Sequence, residues 1–332
     1  MFTAGYIRTP TCAGDTEVER YRNAIWESLF STHENRCEVT TTNPLGLTSI
    51  RSVPSEGLVP VGKRTSLKNY LASLWDRRHF IVAESRAKMS GSTRKNILGY
   101  GWLFFNPMLS VLAYAFIFGF ILNTARGVEN FLGFLVIGVF FFQYTSKCMT
   151  GGAGSIRSGS AMIKAFQFPR AALPISTVVR NLLDFIPTLA VMVVILIVVP
   201  PAETITWRVV LIVPIVILQT IFNVGLACLM ARLGHRIPDL SNIMSIIGRF
   251  WLYGSGVFFV IDDKLADHPA LLSVMHVNPM YSVLELSRNA ILYGVDSPLW
   301  MWVSVGLWAV GLVLVGFLYF WRGEERYGRL RA

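Results

Sequence analysis

Thirty consecutive residues, Asn96 to Ala125, carry no charged side chain. Within them Met108 to Leu122 is almost wholly apolar, and Asn106-Pro107 stands just ahead. A bilayer core about 30 Å thick is crossed by roughly 20 apolar residues in a helix. This stretch is long enough to span and too long for the apolar part of a secretory signal. A backbone inside hydrocarbon must satisfy its own hydrogen bonds, so a chain with such a segment is confined to helices or a closed barrel.

The pattern repeats. Asn130–Ser146, Phe185–Ala202, Val209–Ala231, Leu240–Ile261 and Leu299–Trp321 are further spans by length and apolarity, and only Arg249 interrupts the fifth of the six. The chain is 53% hydrophobic and 15% charged, against about 25% charged in soluble proteins. The fold class expected is an all-α integral membrane protein with six transmembrane helices.

The +10 net charge could suit a nucleic acid, but its placement favours a membrane. Residues 63–95 hold nine Lys and Arg, residues 147–180 hold five and no acid, and Arg232, Arg236, Arg322, Arg326, Arg329 and Arg331 follow on the same side. The opposite connections hold few, among them Arg126, Lys264 and Arg288. Basic loops stay in the cytoplasm, so both termini are expected there, in a multi-pass protein of the inner or plasma membrane with no nucleic-acid partner.

Residues 1–62 are rich in Thr, Ser, Asn, Pro and Gly and read as a poorly ordered cytoplasmic tail. Near its end Gly57-Leu-Val-Pro-Val-Gly62-Lys63 copies a phosphate loop, but Arg64 replaces the Ser or Thr that would hold Mg²⁺ and no apolar strand precedes it. A nucleotide cradle needs strand, loop and helix in that order, so none is assigned. The four Cys and five His are scattered without metal-ligand spacing.

Leu67 to Met89 places Leu67, Leu71, Leu74, Trp75, Val82 and Met89 near one face, with basic residues mostly elsewhere. This suits an amphipathic helix lying in the headgroup plane, within a lead-in of residues 63–95; a packed soluble helix has the same pattern. The six-helix domain then covers 96–322, and 323–332 form a cytoplasmic tail. Between spans five and six, Ala270–Val277 and Tyr281–Tyr293 are too short to cross. They read as short re-entrant helices, separated by Asn278-Pro279.

Several motifs now combine: the interface helix leading into Leu98-Gly99-x-x-Trp102-x4-Pro107; Phe168-Pro169-Arg170 and Leu173-Pro174 in a long cytoplasmic loop; Asn278-Pro279 with Arg288 on the outer side; and the closing Arg322-Gly-Glu324-Glu325. Over residues 67 to 330 the chain resembles the permease of an ABC-2 type exporter, most of all the Wzm-type subunit that exports lipid-linked polysaccharides, and within that group the actinobacterial galactan type. Two features depart from that pattern. The first sixty-odd residues have no counterpart, and Gly234-His235-Arg236-Ile-Pro238-Asp239 stands where the family has Arg directly followed by Asp.

The resemblance implies a second copy of the chain, two copies of an ABC ATPase that carry ATP and Mg²⁺, a polyprenyl-diphosphate-linked glycan and membrane lipids, with no cofactor and no catalysis on this chain. Coupling to the ATPase falls to Arg157, Lys164, Phe168, Pro169, Arg170, Arg77 and Arg236, where a positive-inside loop or lipid contact is the plainer reading. Sugar rings stack on aromatic faces, so Tyr114, Phe118, Phe141 and Tyr144 are candidates for a polymer path, although spans are rich in Phe regardless. Arg249 either meets the diphosphate or serves structure, snorkelling inward or pairing with Asp184. Asn278, Pro279 and Arg288 are assigned to an outer gate. The rival functions are an ABC-2 permease for a small amphipathic drug or lipid, and a membrane transferase. The transferase would need acids or His set among the spans, where Asp184 edges the third and Arg249 interrupts the fifth.

Overall fold

A helix that is apolar on every side has to be wrapped by others, and Phe131–Ser158 is the one the structure wraps. The computed structural model describes residues 36–42, 48–54, 66–93, 101–114, 116–117, 130–166, 168–198, 206–261 and 267–327. Gly57 to Lys63, Phe118, Arg126 and Lys264 lie outside these described residues.

The chain divides into two units between Val61 and Gly62. In the first, β1 (Arg36–Thr42) pairs antiparallel with β2 (Thr48–Pro54), Val39 facing Arg51. The all-α expectation did not contain this ribbon, which falls within the segment read as a poorly ordered tail. Alternating Thr, Val and Ile suit a pleated strand.

The second unit is helical. The amphipathic segment is two helices, α1 (Leu67–Asp76) and α2 (Arg78–Thr93), broken at Arg77. Then follow α3 (Trp102–Tyr114), α4 (Phe131–Ser158), α5 (Ser160–Ala165), α6 (Ala172–Val198), a 3-10 turn over Trp207–Leu211 continuing into α7 (Ile212–Arg236), α8 (Leu240–Tyr253), α9 (Pro269–Val277), α10 (Pro279–Arg288) and α11 (Leu299–Trp321). Among the described residues four helices are long and apolar enough to cross a membrane: α4, α6, α7 with its preceding turn, and α11.

The differences from the sequence expectation have local causes. Helix α4 runs twelve residues past Ser146, and α6 begins thirteen before Phe185. Polar residues extend these helices without ending them, Lys147 and Arg157 in α4 and Arg180 and Asp184 in α6. The single fifth span over Leu240–Ile261 is corrected: α8 stops at Tyr253. Gly256 takes a left-handed φ of 69°, which a side chain resists and which ends a helix. Fourteen residues reach only about 21 Å, so α8 alone falls short of the hydrocarbon thickness.

Helix α7 lies between α4 and α11 and packs on both. Its contacts are backbone on backbone. A Cβ on Gly225 would strike the Leu312 and Val313 main chain, and one on Gly316 would strike the Gly225 carbonyl. On the other face, a Cβ on Gly152 would come within 2.7 Å of the Ala227 Cα. In lipid, where apolar side chains gain nothing by leaving solvent, small residues that let backbones meet drive association. Polar groups add to it: Gln219 donates from Nε2 to the Phe141 carbonyl at 2.8 Å and to Thr145 Oγ1 at 2.9 Å.

Gly225→Ala and Gly316→Ala are each expected to cost about 1–3 kcal/mol through overpacking, lowering the apparent melting temperature of detergent-solubilised protein by several degrees. Gly306→Ala, whose Cβ meets nothing within 4 Å, should leave it unchanged. Equal melting of all three variants would remove the close crossing as a source of stability.

Candidate functional site

Three groups of side chains are built by this bundle, at one end, between its helices and at the opposite end, the two ends being called inner and outer after the orientation expected from the basic loops.

At the inner end, helix α1, the turn before α6 and the chain after α11 meet at Glu324. Tyr70 donates its hydroxyl to Glu324 Oε2 at 2.8 Å and accepts from the Ala171 amide at 3.0 Å. The Arg170 amide donates to Glu324 Oε1 at 3.0 Å, and its guanidinium donates to the Glu324 carbonyl. Burial pushes the Glu324 carboxyl above the usual carboxylate range, against the pull of the Arg170 amide, the Tyr70 hydroxyl and the Arg170 charge. Burial likewise raises the Tyr70 phenol, so it stays protonated and donating. Tyr327 seals the cluster, stacked on Phe320 at 4.7 Å and donating to the Phe320 carbonyl at 3.0 Å.

The seven residues proposed for ATPase coupling separate on this geometry. Arg77, Arg157, Lys164 and Arg236 are exposed. Phe168 packs against Phe80 with ring centres 5.8 Å apart, Pro169 is buried, and Arg170 is held by Glu324. The loop is therefore fastened at its Phe-Pro-Arg turn and free at its cationic helix α5. Tyr70, Glu324 and Tyr327 were not singled out from sequence. The Glu324-Glu325 pair in the closing motif was the available signal, but nothing there indicates contact with a residue 254 positions away.

Two cavities open between helices. The larger, about 690 Å³, is walled by α2, α3, α4, α6 and the start of α8, with Lys88, Lys147, Arg180 and Asp184 on its surface. The smaller, about 280 Å³, contains Tyr114, Gln143 and Arg249. Lys147 and Thr150 line both. Arg249 is exposed, and Asp184 faces Arg180, at 3.8 Å, in place of Arg249. Tyr114 also packs on Phe258, centres 5.2 Å apart. Phe141 and Tyr144 line neither cavity. Tyr144 stacks on Phe185 at 4.8 Å and its hydroxyl shares a 2.9 Å hydrogen bond with Thr220, while Phe141 meets Phe185 edge-on. These two aromatics are bundle core.

At the outer end, Asn278, Pro279 and Arg288 are brought to one place. Asn278 caps α10 by accepting from the Met280 amide, accepts from Trp251 Nε1 at 3.0 Å, and donates to the Gly254 carbonyl and Ser255 Oγ. Pro279 is the first helical residue, where its missing N–H is harmless. Arg288 is buried, donates to Glu285 at 2.8 Å and to the Gly256 carbonyl at 2.9 Å, and lies 3.4 Å over the Phe134 ring. Asn278 and Arg288 therefore secure the turn in which α8 ends. Gly138 makes the room, since a Cβ there would sit 2.9 Å from the Arg288 guanidinium.

A bundle of long apolar helices, with cavities between them and turns braced by polar side chains, has the build of a multi-pass membrane protein. The sequence matches the ABC-2 type transporter family over residues 84–292. It is 28% identical over 220 residues, 66% of this chain and 82% of the relative, to the O-antigen export system permease protein RfbA of Myxococcus xanthus. Two Klebsiella pneumoniae proteins of the same name are 26% and 25% identical over 268 residues, 80% of this chain and 98% of each relative. The chain belongs to the ABC-2 type transporter family.

Tyr70→Phe removes two buried hydrogen bonds and is expected to destabilise by about 1–3 kcal/mol, read as a lower apparent melting temperature. Glu324→Gln adds a pH test. A carboxyl raised in the folded state contributes stability at low pH and loses it as pH rises through the folded value. From the ordinary Glu range upward, the Gln variant should therefore gain on wild type; a constant difference between them would count against a buried, raised carboxyl.

Proposed function

We propose that this chain is the transmembrane permease subunit of an ABC exporter that moves a lipid-linked polysaccharide, galactan-like in class, from the cytoplasm to the cell exterior. ATP is hydrolysed on a separate ATPase subunit. The observation that carries this reading is the 268-residue alignment reaching 98% of the length of relatives named as O-antigen export permeases. The whole permease, and not one shared helix pair, is what this chain resembles.

In this reading two copies assemble with two ATPases in the inner or plasma membrane, both termini in the cytoplasm. Helices α1 and α2 lie at the inner headgroup plane, and α9 and α10 re-enter from outside. The ATPases push on Lys164 and Arg157 of the α5 loop and on Arg77 and Arg236. Because Phe168-Pro169-Arg170 is tied through Glu324 to Tyr70, motion of the loop is passed to α1 and to the end of α11 together. A small amphipathic drug or lipid is the alternative cargo. The polar lining of the 690 Å³ cavity favours a hydroxyl-rich or phosphorylated one.

Depletion of the chain in cells is expected to leave lipid-linked polymer accumulating on the cytoplasmic side while surface polymer falls. Unchanged distribution of polymer between the two sides would overturn the polysaccharide reading and leave the small amphiphile.

A further inference from the structure

Resting on that exporter reading, we propose that the larger cavity is a binding site for a diphosphate group, with Lys147 and Arg180 as its cationic ligands and Asp184 as the residue that keeps the grip weak.

Three observations converge. First, the charge is one-sided: Lys88, Lys147 and Arg180 face Asp184 alone. Lys88 is also partnered by Glu84 at 3.1 Å, which leaves Lys147 and Arg180 as the cations to be answered. Second, the one ion pair in the wall is not closed. Arg180 Nε stands 3.8 Å from Asp184 Oδ2, beyond hydrogen-bond reach, and Arg180 Nε and Asp184 Oδ1 are both buried without a hydrogen-bond partner. A satisfied structural pair would leave neither, because an unbonded buried charged group costs more than the 1–3 kcal/mol of a neutral one. Third, the remaining wall offers neutral polar groups on α3, α4 and α6, among them Asn106, Thr150 and Asn181.

A guanidinium and an ammonium lining one cavity suit a diphosphate, the first by its fork and the second as a point charge. The volume lies within the range of small-molecule sites, about 300–1,000 Å³, and exceeds what the two phosphates fill, so a first sugar fits beside them. Asp184 repels the same anion, which lets a bound headgroup leave. Lys147 also lines the cavity that holds Arg249, so an anion released from Arg180 meets a second cation without leaving the protein.

The test uses full-length protein in lipid nanodiscs and measures equilibrium binding of farnesyl diphosphate, with farnesol and inorganic diphosphate as comparison probes. Lys147→Gln and Arg180→Gln are expected to weaken farnesyl diphosphate binding about tenfold each, Lys147→Arg to restore it, and Asp184→Asn to tighten it several-fold. Lys68→Gln, exposed on α1, should bind as wild type. Inorganic diphosphate competing at the same concentration assigns the cavity to free anion, and its failure to compete assigns it to a lipid headgroup. Binding within twofold of wild type in both Gln variants, or farnesol bound as well as farnesyl diphosphate, overturns the site. That result is independent of the exporter reading, which fails by its own measure if depletion leaves the polymer undisturbed. Gel filtration and melting of each variant separate lost binding from lost folding.

Discussion

Everything else in the bundle rests on how closely α7 approaches its two neighbours. Gly225 and Gly316 bring α7 and α11 together main chain to main chain, and Gly152 with Ala227, and Ala153 with Gly234, do the same for α4. Hydrocarbon offers apolar side chains no reason to leave it, so contact has to come from dispersion at short range and from internal polar bonds. Once three helices are fixed at backbone distance, the rest of α4 is enclosed. Its Phe140, Phe141 and Phe142 then become core, and the remaining helices have a rigid post against which to pack.

A rigid post explains why the chemistry gathers at the margins. At the outer side, the chain leaves helical geometry after Tyr253, and the backbone groups released there would be costly in a bilayer. Asn278 and Arg288 answer them, one from each end of α10. The same logic holds at the opposite end of the bundle, where Glu324 collects the Arg170 amide and the Tyr70 hydroxyl. Each brace joins segments distant in sequence through one polar side chain with several bonds. A push on one segment is therefore delivered to another without the core having to deform.

The helices that pack less tightly leave the cavities. Helices α3 and α8 lie along α4 and carry apolar residues outward, Leu109, Leu112, Ile243, Ile246 and Phe250 among them. Between them and the post are the polar walls formed by Lys147, Arg180 and Asp184. Stability and passage thus use different parts of one bundle: glycine crossings for the first, and partly covered polar faces for the second.

Apolarity and length, read along the chain, determined the helical membrane character, the last span residue for residue, and the short paired helices around Asn278-Pro279, because these depend on local composition and on what Pro allows. Tertiary structure alone decided the rest. The division of the fifth span could be suspected from Gly254-Ser255-Gly256, but only the left-handed φ at Gly256 made it a helix end. Tyr144 and Arg249 look alike as polar interruptions of apolar helices. Thr220 and Phe185 claim the first for the core, and an open cavity receives the second. Glu324 and Tyr70 became a site because a folded bundle set them 2.8 Å apart. A periodic pattern records which face of a helix avoids water, whereas the partner of a polar side chain is fixed by where another helix happens to end.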